Sequence, residues 1–127
     1  NIAIVDQARG GTGCAIVHSD SASGIQRLNQ EAAKALSAGR RAGFDISEGR
    51  AMTWITKNPA KSLGILDQTG TLEQGKDADI VIWSGNPFSV YTKAEQVYID
   101  GALAFDKASN FMPHTDFDLG IKEWEDK

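Results

Sequence analysis

The chain has 127 residues, room for about one domain, with 41% hydrophobic and 24% charged residues, the balance of a soluble globular protein. A formal charge of −4, a pI near 5.1 and no block of Lys or Arg leave no basic stripe to neutralise phosphates, so nucleic acid is not an expected partner. No apolar run approaches the ~20 residues of a membrane-spanning helix, so no membrane partner is expected either. The single cysteine, Cys14, excludes an internal disulfide and, lying in an apolar run, reads as a small buried residue.

The opening Asn1-Ile2-Ala3-Ile4-Val5 starts in mid-element without a Met, as the interior of a longer protein would. Residues 1–9 read as the end of a helix with Ile2, Val5 and Ala8 on one face, broken by Gly10, Gly11 and Gly13. Cys14-Ala15-Ile16-Val17 is then a continuous apolar run, the pattern of a strand buried on both faces in a parallel sheet. His18-Ser19-Asp20-Ser21 follows at the C-terminal end of that strand, the end that carries chemistry in α/β architectures. Ser21 or Ser23 can cap a helix over roughly 24–38, in which Ile25, Leu28, Ala32, Ala35 and Leu36 form one stripe and Gly39 is the stop. Ser47 can cap a further helix over 48–57, with Ala51, Met52 and Ile55 inward. Asn58 as cap and Pro59 at the first helical position predict one more turn, ended by Gly64.

From there β-formers take over. Ile80-Val81-Ile82-Trp83 is the strongest strand, Asn86-Pro87 a turn, and Gln96-Val97-Tyr98-Ile99 and Ala102-Leu103-Ala104-Phe105 flank the hairpin signal Asp100-Gly101. Trp83, Phe88, Tyr91 and Tyr98 read as the core of this β-module. Residues 107–127 are polar with scattered aromatics, a tail lying on a surface.

Asp20 is the first candidate for chemistry. A carboxylate ending a buried strand and preceding a helix either faces a pocket or caps the helix, and the pattern alone supports both. His18, two residues earlier, points to the same side of a strand and reads as a supporting residue, not a ligand. Ser19 and Ser21 are placed to bond either the carboxylate or a substrate. Asp79, beside Asp77, reads as the hydrogen-bonding carboxylate of a turn. His18 and His114 are the two histidines, and His114 falls in the polar tail; about three close protein ligands are needed for a catalytic zinc.

Taken in order, Val17-His18-Ser19-Asp20-Ser21, Asn58-Pro59-Ala60-Lys61-Ser62-Leu63-Gly64-Ile65 and Gly70-Thr71-Leu72-Glu73-Gln74-Gly75-Lys76-Asp77-Ala78-Asp79-Ile80-Val81 resemble the C-terminal end of a metal-dependent amidohydrolase, in the imidazolonepropionase-like branch. The resemblance covers residues 14–106. It implies an α/β fold: the last strand and helices of a (β/α)8 barrel over 1–66, a portion of a small β-sandwich over 67–106, and the tail 107–127. The barrel is incomplete, since a whole one needs roughly 250 residues. It implies that Asp20 binds a divalent metal, zinc above all, and handles a proton. The histidines that complete such sites lie upstream in the family.

The implied activity is hydrolysis of non-peptide or dipeptide C–N bonds by a metal-activated water in the longer parent, acting on a small molecule. The fragment alone is expected to hold no metal and to be inactive. The alternative is a non-catalytic α/β module that folds by self-association. Cut strand edges predict a homo-oligomer or association with the missing N-terminal part. The compartment is left open, with the cytoplasm favoured.

Overall fold

The computed structural model describes residues 2–109, so the expected tail falls outside the described residues from position 110 on, His114 included. Helices come first and a small sheet last. Helix α1 (Ile2–Gly11) is interrupted at Ala8–Gly10, where Arg9 and Gly10 take φ of 52° and 72°. The glycines break the helix as their spacing predicts. Gly13 also lets the chain fold back, because a Cβ there would overlap the Val5 carbonyl.

The strand expected at 14–17 does not form a ladder, because none of the described strands lies beside it. Nor is it buried on both faces: Ala15 and Val17 are buried, Ile16 is half-buried, and Cys14 and His18 are exposed. Cys14 is therefore not the buried residue its apolar run suggested; it lies on the side away from Ala15 and Val17.

A 3-10 turn (Ile25–Arg27) leads into α2 (Leu28–Arg41), which buries Ala32, Leu36 and Gly39. Ile25, expected on that stripe, is exposed because it belongs to the preceding turn. Gly39 does not stop the helix. It is the crossing point with α1: a Cβ there would stand 2.6 Å from Ala3 Cβ and 3.1 Å from Ile46 Cδ1. The chain turns instead at Gly43, φ +89°.

Ser47 caps α3 (Glu48–Met52), its side chain accepting from the Arg50 amide at 3.1 Å. Helix α4 (Lys57–Leu63) has Thr56 at its N-cap and ends on left-handed Gly64. Asn58 is thus inside the helix and buried, not the cap; its side chain is engaged elsewhere. The core gathers Ala3, Ala15, Val17, Ala32, Leu36, Ile46, Ala51 and Trp54, mostly small residues around one indole.

The loop to the sheet is pinned by Lys76, whose ammonium donates to the Leu66 carbonyl at 2.5 Å and the Thr71 hydroxyl at 2.6 Å. The Thr71 hydroxyl and then the Lys76 charge hold the exposed Glu73 carboxyl below the usual range. Strands β1 (Ile80–Trp83), β2 (Ala94–Ile99) and β3 (Ala102–Asp106) form an antiparallel sheet in that order. Asp100 and Gly101 both have positive φ, 50° and 77°, as the two-residue hairpin turn requires.

The β1–β2 connection docks the sheet on the helices. Asn29 donates to the Pro87 carbonyl at 2.6 Å, Asn86 donates to Glu48 at 3.0 Å, and Phe88 packs on the helical core. Phe88 therefore belongs to the helical layer, and Tyr91 is 90% exposed, so neither forms the core of the β-module; Trp83 and Tyr98 are half-buried. Among the described residues no helix is long and apolar enough to cross a membrane.

Candidate functional site

Asp20 leaves the chain just after the 14–17 segment, where Ser19 and Ser21 shape a tight turn. The Ser19 hydroxyl accepts from the Ser21 amide at 3.1 Å, and the Ser21 hydroxyl accepts from the Gly24 amide at 3.3 Å. Both serines are thus spent on the turn; the 3-10 turn that follows has Gly24 at its N-cap and no side-chain cap. The cap reading of Asp20 loses its support. Its carboxylate is 95% exposed and bonds to no backbone amide; its neighbour is the His18 imidazole, Nδ1 to Oδ1 3.4 Å.

His18, Ser19 and Asp20 line an open cleft of about 720 Å³ together with Ile2 and Val17 on one side and Glu31 and Lys34 of α2 on the other. The cleft offers two carboxylates, one imidazole and one ammonium above an apolar floor, a setting that suits a polar small molecule.

As a metal site the donor set falls short. Among the described residues no three His, Cys, Asp or Glu side chains come together. Asp20 with His18 provides two donors, one fewer than a catalytic zinc takes from protein. The described residues alone do not fit the metal.

Asp79 is where sequence reasoning put it. Its carboxylate accepts from the Thr69 hydroxyl at 3.0 Å and from the Asp100 amide at 3.1 Å, so it ties the hairpin turn to the preceding loop.

A second polar cluster was not anticipated. Asp6 is fully buried, and its Oδ1 accepts from Arg50 Nε and from Trp54 Nε1, each at 2.7 Å, while Oδ2 accepts from Gln7 at 2.9 Å. Arg50 also donates from Nη2 to the Gly13 carbonyl at 2.8 Å, and Asn58 donates from Nδ2 to the Ala15 carbonyl at 2.7 Å. The available signal was one acid in an apolar opening run, which an amphipathic reading discards as solvent-facing.

Comparison with known proteins bears on the same residues. The model for the amidohydrolase family matches residues 3–113. Helices, turn and small sheet thus belong to a hydrolase-type architecture, and the chain is a member of the amidohydrolase family. It is similar to the amidohydrolase tasK of Hapsidospora irregularis, 35% identical over 71 residues, which are 56% of this chain and 7% of that protein. It is also similar to the imidazolonepropionase of Brucella anthropi, 46% identical over 55 residues, 43% of this chain and 12% of that enzyme. Among solved structures, an amidohydrolase from Thermotoga maritima superposes with a TM-score of 0.68 at 32% identity, over 84% of this chain and 27% of that one. The chain therefore spans about a quarter or less of the proteins it matches.

Proposed function

We propose that this chain serves as the C-terminal part of a metal-dependent hydrolase that cleaves C–N bonds in non-peptide or dipeptide small molecules. In this reading residues 1–66 close a (β/α)8 barrel, 67–106 belong to a small β-sandwich, and 107–127 form a tail. Asp20 is the catalytic and metal-binding carboxylate. The observation that carries the reading is the position of Asp20: exposed, beside His18, on a cleft, at the end of a buried segment, in a chain whose family match spans 3–113. The family match and the imidazolonepropionase likeness support the reaction class.

In this reading the 127-residue chain alone is inactive and free of stoichiometric metal, because the histidines that complete the family's site lie upstream and Asp20 with His18 supplies only two donors. The alternative, a non-catalytic module that self-associates, draws on that same shortage of donors. Both are separated by one pair of measurements. In the longer enzyme, Asp20→Asn lowers turnover by about 10²–10⁴-fold, the scale of a lost proton-handling group. With metal removed from both, the variant and the parent melt alike, because the side chain makes no packing contact that folding depends on and is 95% exposed in this chain. Unchanged turnover would refute the assignment. Native mass spectrometry of the short chain counts metal directly: a metal-free species is expected, and stoichiometric metal on an oligomer would instead indicate a site shared between copies.

A further inference from the structure

Asp20 follows a segment that pairs with no strand among the described residues, yet that segment is fixed along one edge. The Gly13 carbonyl accepts from Arg50 Nη2 at 2.8 Å, the Ala15 carbonyl from Asn58 Nδ2 at 2.7 Å, and the Val17 amide donates to the Trp54 carbonyl at 3.0 Å. In extended chain, alternate residues turn their backbone groups to the same edge, so positions 13, 15 and 17 form one bonding row. Their partners, Arg50, Asn58 and Trp54 in that order, all come from the stretch 50–58. Each partner is itself held. Arg50 and Trp54 share the buried Asp6 carboxylate, and the Asn58 backbone N–H donates to the Thr53 carbonyl at 2.8 Å.

The row is a register lock. A slip of one residue would present the groups of Cys14 and Ile16 to these partners and send every side chain of the segment to the opposite side. Asp20 would then leave the cleft. Of the three contacts, Asn58 makes the one side-chain bond that is buried along its whole length.

We propose that Asn58 is a positioning residue: its amide fixes the register of residues 13–17 and so aims the Asp20 carboxylate into the cleft. This rests on the reading of Asp20 given above. It also assigns a purpose to the asparagine of Asn58-Pro59-Ala60, which as a helix cap would have been interchangeable with serine or aspartate.

The test uses the full-length enzyme carrying this sequence, with Asn58→Ala set against Asn29→Ala, whose side-chain amide makes a comparable bond to the Pro87 carbonyl at 2.6 Å, where the β1–β2 connection docks on α2. Hydrogen exchange, melting temperature, kcat and KM are read for each. Asn58→Ala raises amide exchange over residues 14–20 by about tenfold or more. It lowers kcat by about 10–100-fold with KM little changed, the effect of removing the support of a site residue. Asn29→Ala leaves both unaltered at a similar loss of melting temperature. Should Asn58→Ala not fold, Asn58→Ser, which keeps a shorter donor, is read in the same way. The proposal is overturned if exchange over 14–20 and kcat do not move, or if Asn29→Ala reproduces the kcat loss. Asp20→Asn separates the two ideas. Full turnover in that variant removes the role of Asp20, while exchange over 14–20 still judges the register lock.

Discussion

Asp6 shows how much one side chain can organise. A carboxylate without access to water is tolerable only when its lone pairs are filled, and Arg50, Trp54 and Gln7 fill them. Deleting it strands the buried indole N–H and takes one partner from Arg50, which is 35% exposed and keeps the Gly13 carbonyl, so Asp6→Ala should cost about 3 kcal/mol, the low end of the range for breaking a buried ion pair from one side. Trp54→Phe keeps the ring's bulk, removes one donor, and should cost about 1–3 kcal/mol. Urea titration of the two variants tests this order, and an equal or reversed pair of losses would mean that the carboxylate is not the hub. None of it was legible in the sequence, because the partners lie 44 and 48 residues away and no periodicity links them. Asp79 was legible in role and not in partners: a turn before a strand calls for such a group, while Thr69 and Asp100 lie 10 and 21 residues away.

Among elements the same division holds. Caps and hairpins are written in adjacent residues, so Ser47, Gly64 and Asp100-Gly101 take the roles their types predict. The 14–17 segment and Gly39 depend on what is packed beside them. The first finds no neighbouring strand, and the second finds Ala3, which makes a glycine that looks like a helix stop a close helix crossing instead. Phe88 was assigned to the wrong layer because the Asn86 and Asn29 bonds that carry its loop to the helices connect positions 38 and 58 residues apart. The hairpin supplies a prediction of its own. Gly101 sits at φ +77° with open space around its Cβ position, where the nearest atom is Ala78 Cβ at 3.8 Å. Gly101→Ala is therefore strained by backbone conformation and not by collision, and should destabilise the hairpin by about 1–2 kcal/mol. Faster exchange of the β2 and β3 amides, with the α2 amides unaffected, is the expected signature; uniform change over the whole chain would show that the sheet does not open independently.

At the scale of the whole molecule, open sheet edges and exposed apolar side chains stand out among the described residues. Strands β1 and β3 are both edges of the sheet, and Val81, Ile82, Ile99 and Leu103 on these strands and β2 are exposed. On the helical side, the residues flanking Asp20 open into a cleft, and the backbone groups of Cys14, Ile16 and His18 have no partner among the described residues. Open edges with apolar side chains pair with other chains unless something covers them. The chain matches 27% of its solved neighbour, so on the proposed reading the cover would come from the rest of the barrel and sandwich. The 127-residue chain purified alone should accordingly self-associate, and sedimentation velocity over a hundredfold range of concentration should show the average mass rising with concentration. Lysine at Val81, an exposed position on an edge strand, should weaken that association without disturbing the helical core, because inward or edge charges are what natural sheets use to refuse partners. A chain that stays monomeric, folds cooperatively and ignores Val81→Lys would show that these edges are already satisfied and that the fragment is a free-standing module.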